Sequence, residues 1–115
     1  MARRADPNNA GETPLDPMGL ALAEARAAAA RGEVPVGAVV VDPVSRAVVA
    51  RAGNRTRELA DPTAHAEMLA IRAACAATGS ERLVGLDLYV TLEPCAMCAA
   101  AMAAALLTGF FAARR

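Results

Sequence analysis

The chain holds three cysteines and one histidine, and two of the cysteines stand in Cys95-Ala96-Met97-Cys98, directly after Pro94. A C-x-x-C spacing at a helix start puts two thiols within reach of one metal, and the helix dipole and the metal both favour the thiolate. The spacing alone also serves redox dithiols and closed structural zinc sites. A closed site would need two further Cys or His ligands, and the remaining candidates are His65 and Cys75. His65 with Cys95 and Cys98 gives three protein ligands and leaves a fourth tetrahedral position for water, the pattern of a catalytic zinc. Glu67 follows two residues after His65, where a carboxylate can face that water without being a ligand and move its proton. Singly, His65 and Glu67 are ordinary residues for a helix start, where the dipole favours an acid anyway. Their combination with the two cysteines carries the metal reading. Cys75, inside Ala73-Ala74-Cys75-Ala76-Ala77, reads as a small buried apolar residue.

Regular elements must bring these residues together. Residues 18–31 repeat apolar positions near helical spacing and are followed by Gly32, a natural C-terminal stop. The β-branched run 36–41, the break at Asp42-Pro43 and its resumption at Ala47-Val48-Val49 predict two strands joined by a hairpin, with Gly53 and Asn54 in the loop that follows. Residues 64–78 lack Gly and Pro and predict a second helix, ended by Gly79. Residues 86–92 alternate apolar and polar with a period of two, predicting a third strand closed by Pro94. A third helix is expected from Cys95 to about Leu107, opened by the cysteine motif itself. This order implies an α/β layered fold, a mixed sheet covered by helices. Residues 1–17, rich in Pro, Asn and Gly, are expected to form a disordered tail ahead of a single domain at 18–115.

The bulk composition bounds the partners. At 115 residues there is room for one core. The hydrophobic fraction of 56% is inflated by alanine, so that core is built of small residues. Twelve basic and twelve acidic residues balance, which gives no long-range attraction for a polyanion and leaves any such binding to local patches. Arg3-Arg4 and Arg114-Arg115 read as solvated ends. An odd cysteine count without an apolar signal segment points to a reducing cytoplasm, and no uninterrupted apolar run is long enough to cross a membrane.

Several blocks go beyond the metal pattern. Glu33-Val34-Pro35-Val36-Gly37-Ala38-Val39, Gly53-Asn54-Arg55, Asp61-Pro62-Thr63-Ala64-His65-Ala66-Glu67 and the run from Leu88 through Thr91-Leu92-Glu93-Pro94-Cys95 to Ala99 occur in the order found in the bacterial tRNA-specific adenosine deaminases. Over residues 18–102 the chain resembles that family, within the cytidine deaminase-like fold; H-x-E followed by P-C-x-x-C is the zinc deaminase signature. The resemblance implies a three-layer α/β/α sandwich and one zinc ion per chain held by His65, Cys95 and Cys98. It implies Glu67 as the proton shuttle, Asn54 as a hydrogen-bond partner of a flipped-out base, and Val36 and Leu92 as apolar contacts to that base. The substrate it implies is the wobble adenosine in the anticodon arm of a tRNA, converted to inosine by a homodimer.

After Met102 the chain departs from the family, whose members continue into a fourth strand, another helix, a fifth strand and a last helix. Residues 103–115 instead resemble the end of that last helix fused onto the third, with Arg114-Arg115 matching its basic end. The expectation is an internal deletion that leaves a shortened sheet of about three strands with an exposed edge, which Phe110 and Phe111 either cover or leave bare. Two other readings share the zinc core: a deaminase of a free base or nucleotide of guanine or cytosine type, and a catalytically inactive zinc-binding remnant.

Overall fold

The computed structural model describes residues 16–113. Arg3-Arg4, Arg114-Arg115 and all but the last two residues of the expected N-terminal tail lie outside them. Those last two, Asp16 and Pro17, begin a helix instead: the Asp16 carboxylate accepts the Gly19 N–H at 3.1 Å and Pro17 occupies the first turn of α1 (Pro17–Ala30). One face of α1 presents Ala21, Ala25 and Ala28, all buried. Strands β1 (Gly37–Val41) and β2 (Val48–Gly53) follow, then α2 (Ala66–Thr78), β3 (Asp87–Val90), α3 (Ala96–Ala104) and β4 (Gly109–Ala112). Gly79 ends α2 in the left-handed conformation, φ 71°, its N–H donating to the Cys75 carbonyl.

The sheet runs β2-β1-β3-β4, antiparallel except between β3 and β4, which are parallel. Helices cover both faces of β1, so every residue of that strand is buried and its sequence is a continuous apolar run. Ala38 and Val40, with Leu88 and Val90 of β3, face α2 and the inner side of α3. Val39 and Val41, with Tyr89, face α1. The architecture is therefore the expected α/β/α sandwich, with α1 alone on one face. Alanine stripes let the helices lie close to the sheet, and at Gly37 they leave no room for a methyl group: a Cβ there would stand 2.6 Å from the Ala25 nitrogen and closer still to the Ala21 carbonyl oxygen. Among the described residues no helix is long and apolar enough to cross a membrane.

The C-terminal segment differs from expectation. The third helix stops at Ala104 rather than near Leu107, because the chain turns at Leu106 with a left-handed φ of 57° that no helix continues through. Residues 109–112, expected to be the end of a helix, are strand β4, which pairs with β3 from Asp87↔Gly109 to Val90↔Ala112. Among the described residues the sheet thus has four strands, rather than about three. The β3–α3–β4 path is a crossover joining parallel strands, a connection that needs a dozen or more residues and usually a helix. Phe111 stacks on Tyr89 with ring centroids 4.6 Å apart, and both phenylalanines remain partly exposed on this edge strand. Gly53 closes β2 instead of belonging to the loop.

Candidate metal centre

The two crossovers that follow β2 and β3 start α2 and α3 at the same end of the sheet. His65 is the N-cap of α2 and Cys95 the N-cap of α3, both in extended backbone conformation, and Cys98 lies in the first turn of α3. His65 spends no side-chain bond on capping its helix, and its Nδ1 lies 3.5 Å from the Cys98 Sγ and 3.7 Å from the Cys95 Sγ. All three donor atoms fall within 4.8 Å of one another. For a tetrahedral zinc with Zn–S of about 2.3 Å and Zn–N of about 2.0–2.1 Å, donor nitrogen and sulfur stand about 3.6 Å apart. The separations, the donor set of one imidazole and two thiols, and the absence of a fourth protein ligand among the described residues all fit a zinc with one open position.

The two thiols sit in opposite environments. The backbone N–H groups of Cys98, and less strongly of Met97, hold the exposed Cys95 thiol below its usual pKa against the effect of burial. Burial first, and then the neighbouring Glu67 carboxylate and Cys95, push the fully buried Cys98 thiol up to about 12. A dication between the two sulfurs reverses that second balance, since a coordinating thiol is deprotonated outright.

The donors open onto a cavity of about 240 Å³, small beside the roughly 300–1,000 Å³ of sites for drug-sized ligands. His65, Cys95 and Glu67 line it together with the apolar Val36 and Leu92 and the polar Asn54. Every candidate ligand, catalytic or substrate-contact residue named from the sequence thus lines this cavity, except Cys98, which lies fully buried beside it. Glu67 and Asn54 are both almost wholly buried, at 4% and 5% exposure.

Other residues lining the cavity were not singled out from the sequence: Val34, Glu93 and Thr56. Thr56 accepts a hydrogen bond from the Asn54 side-chain amide, Nδ2 to Oγ1, at 3.2 Å. Val34 and Glu93 stand inside the recognised blocks, beside Pro35 and Pro94, so their place at the wall was available from sequence adjacency. Thr56 lies just past its block. Cys75 packs half-buried against the core formed by α2 and the sheet, away from the donors.

Residues 12–111 match the family described as the cytidine and deoxycytidylate deaminase zinc-binding region. The chain is 66% identical over 85 residues to a protein of Agrobacterium fabrum named tRNA-specific adenosine deaminase, a stretch covering 74% of this chain and 55% of that protein. It resembles a solved structure from work on A-to-I editing by tRNA deaminases at the wobble position of transfer RNA, with a TM-score of 0.79 and 58% identity over 85% of this chain and 75% of the other. Guanine deaminase from Bacillus subtilis superposes equally well, with a TM-score of 0.80, but at 37% identity, over 84% of this chain and 61% of the other. The chain spans little more than half the length of the first two curated relatives it matches, 55% and 54%.

Proposed function

The chain belongs to the cytidine and deoxycytidylate deaminase zinc-binding family, and on that premise we propose that it catalyses hydrolytic deamination of adenosine to inosine at the wobble position of tRNA. The observation that carries the reading is the convergence of His65, Cys95 and Cys98 on one point beside a cavity walled by Glu67 and Asn54. The sequence identity to tRNA-specific adenosine deaminases supports that choice of substrate. We place the enzyme in the cytoplasm, acting on the anticodon arm as a homodimer.

When bound by His65, Cys95 and Cys98, zinc supplies Lewis-acid activation of water. The protein's own residues do the rest. Val36 and Leu92 bury the faces of a flipped-out base and exclude solvent from the reacting carbon. Asn54, held by Thr56, hydrogen-bonds the base edge and sets which carbon faces Glu67. Glu67 takes one proton from the attacking water and gives it to the ring nitrogen, then takes the second from the new hydroxyl on the ring carbon and gives it to the exocyclic amine, which leaves as ammonia while a carbonyl oxygen remains on the ring. Water and adenosine thus become inosine and ammonia, and Glu67 ends as it began.

A second reading, deamination of a free guanine-type base, is favoured by the zero net charge and by the equally close overlap with guanine deaminase. Zinc content and product formation on one preparation separate the readings. The native chain and Glu67→Ala are each offered an anticodon stem-loop with a wobble adenosine and, separately, guanine. Stoichiometric zinc with Glu67-dependent inosine is the expected result. Conversion of guanine alone would replace the proposal, zinc without either product would leave an inactive core, and a folded sample that binds no zinc would remove the metal centre itself.

A further inference from the structure

Glu33 is a buried carboxylate that the chemistry above does not use. It lies in the connection between α1 and β1, is 7% exposed, and directs both oxygens across the fold at one short loop. Its Oε1 accepts the Arg57 N–H at 3.1 Å and its Oε2 accepts the Glu58 N–H at 2.7 Å. Two residues earlier, the Arg31 guanidinium donates to the Asn54 carbonyl at 3.1 Å, and the intervening Gly32 carbonyl accepts from the Arg57 side chain. Burial alone pushes the Glu33 carboxyl up, but the two backbone N–H groups and the charges of Arg31 and Arg57 outweigh it and hold it below the usual range.

This loop matters for the cavity. It begins with Asn54 and Thr56, both of which line the wall, and its Arg55 N–H donates to the Ala64 carbonyl at 3.0 Å, beside His65. We propose that Glu33 is a positioning residue for substrate recognition: its carboxylate clamps two consecutive peptide N–H groups and thereby fixes Asn54 and Thr56 against the bound base. The assignment rests on the deaminase reading for the identity of that base, but the clamp stands on the hydrogen bonds alone. A carboxylate can accept from two neighbouring amides at once, whereas a glutamine in the same space must turn a donor towards one of them. His65 does not depend on the clamp, because α2 is anchored to the sheet by Ala66, Ala70, Ile71 and Ala74.

The test compares the zinc-loaded chain with its Glu33→Gln variant. In the variant whichever of the Arg57 and Glu58 amides faces the new NH2 group should exchange hydrogen about tenfold faster, as befits loss of a hydrogen bond to a charged group, while the α2 amides and the zinc content stay unchanged. On the anticodon stem-loop, KM should rise about tenfold with kcat within about twofold, because binding is lost ahead of chemistry. Unchanged exchange at Arg57 and Glu58 would overturn the clamp, as would loss of zinc together with α2 protection, which would make Glu33 a general stabiliser. Lost loop protection with unchanged KM would overturn its role in recognition. A native chain that turns over no stem-loop fails the substrate reading instead, and the exchange measurement then decides the clamp by itself.

Discussion

Replacing Gly37 by alanine tests the close seat of α1 on the sheet with one methyl group. The added Cβ would meet the Ala25 nitrogen at 2.6 Å, the Glu24 Cβ at 2.9 Å and, nearer still, the Ala21 carbonyl oxygen. Two of the three obstacles are helix backbone, so rotation of a side chain cannot relieve the clash. To bring the Ala25 contact alone back to the 3.4 Å of ordinary packing, α1 must retreat by about 0.8 Å along a face that buries Ala21 and Ala28 completely. Overpacking of this kind costs about 3 kcal/mol, which for a domain of this size lowers Tm by about 12–24 °C. Gly32→Ala is the control: that glycine has φ 84° but open space around it, so the substitution should cost only about 1 kcal/mol of left-handed backbone strain, partly offset in the unfolded chain. Scanning calorimetry on the zinc-loaded proteins reads both. A Gly37→Ala chain that melts within a few degrees of native, or no lower than Gly32→Ala, would refute the reasoning.

Three further outcomes follow from the site. Glu67→Gln keeps the shape of a buried side chain but not its basicity, so inosine formation should fall about 10²–10⁴-fold with one zinc per chain retained; a loss of zinc in proportion would make Glu67 structural. Cys98→Ala should reduce bound zinc well below one per chain by elemental analysis, while Cys75→Ala leaves it unchanged; equal zinc in both variants would remove Cys98 from the ligand set. Hydrogen bonds hold the carboxyl pKa of Glu33, Asp42 and Asp61 in the folded chain below the usual carboxylate range. Groups depressed in the folded state contribute stability above their unfolded pKa and lose it as pH falls through the folded value. Urea midpoints of metal-stripped chain should therefore be flat from about pH 7 to 5 and decline below about pH 4, with a shallower decline for Glu33→Gln; a midpoint that rises on acidification would reverse the sign.

The parts of the site that were legible in the sequence are those held by short-range geometry. His65 and Glu67 flank one helix start, and Cys95 and Cys98 occupy the cap and first turn of another, so each pair is fixed by a helix whose existence the pattern already predicts. The C-terminal strand was not legible. Alanine and leucine continue through Ala105-Leu106-Leu107 with no Gly or Pro to mark a stop, yet Leu106 takes a left-handed φ and the chain leaves the helix. What decides β4 is non-local: the free edge of β3 and the stacking surface of Tyr89 lie about twenty residues back and outweigh local propensity. The Glu33 clamp was hidden for the same reason, since it joins residues 24 and 25 positions apart through backbone N–H groups that no side-chain pattern reports.

The connectivity of the sheet accounts for the position of the metal centre. β2 and β3 run in the same direction on either side of β1, and each is followed by a crossover whose helix lies on the face opposite α1. Both helices start at the end of the sheet where those strands finish, α2 after the connection 54–65 and α3 after the shorter connection 91–95, so their N-termini converge there. Each N-terminus brings unsatisfied N–H groups and a partial positive charge. Those groups lower the pKa of the exposed Cys95, while burial beside Glu67 raises that of Cys98. A cation placed between the sulfurs favours the thiolate form of both cysteines at once. The same fold that hides Glu67 from bulk water sets its carboxylate against the Cys98 thiol, so the buried acid and the metal-binding sulfurs share one packed environment.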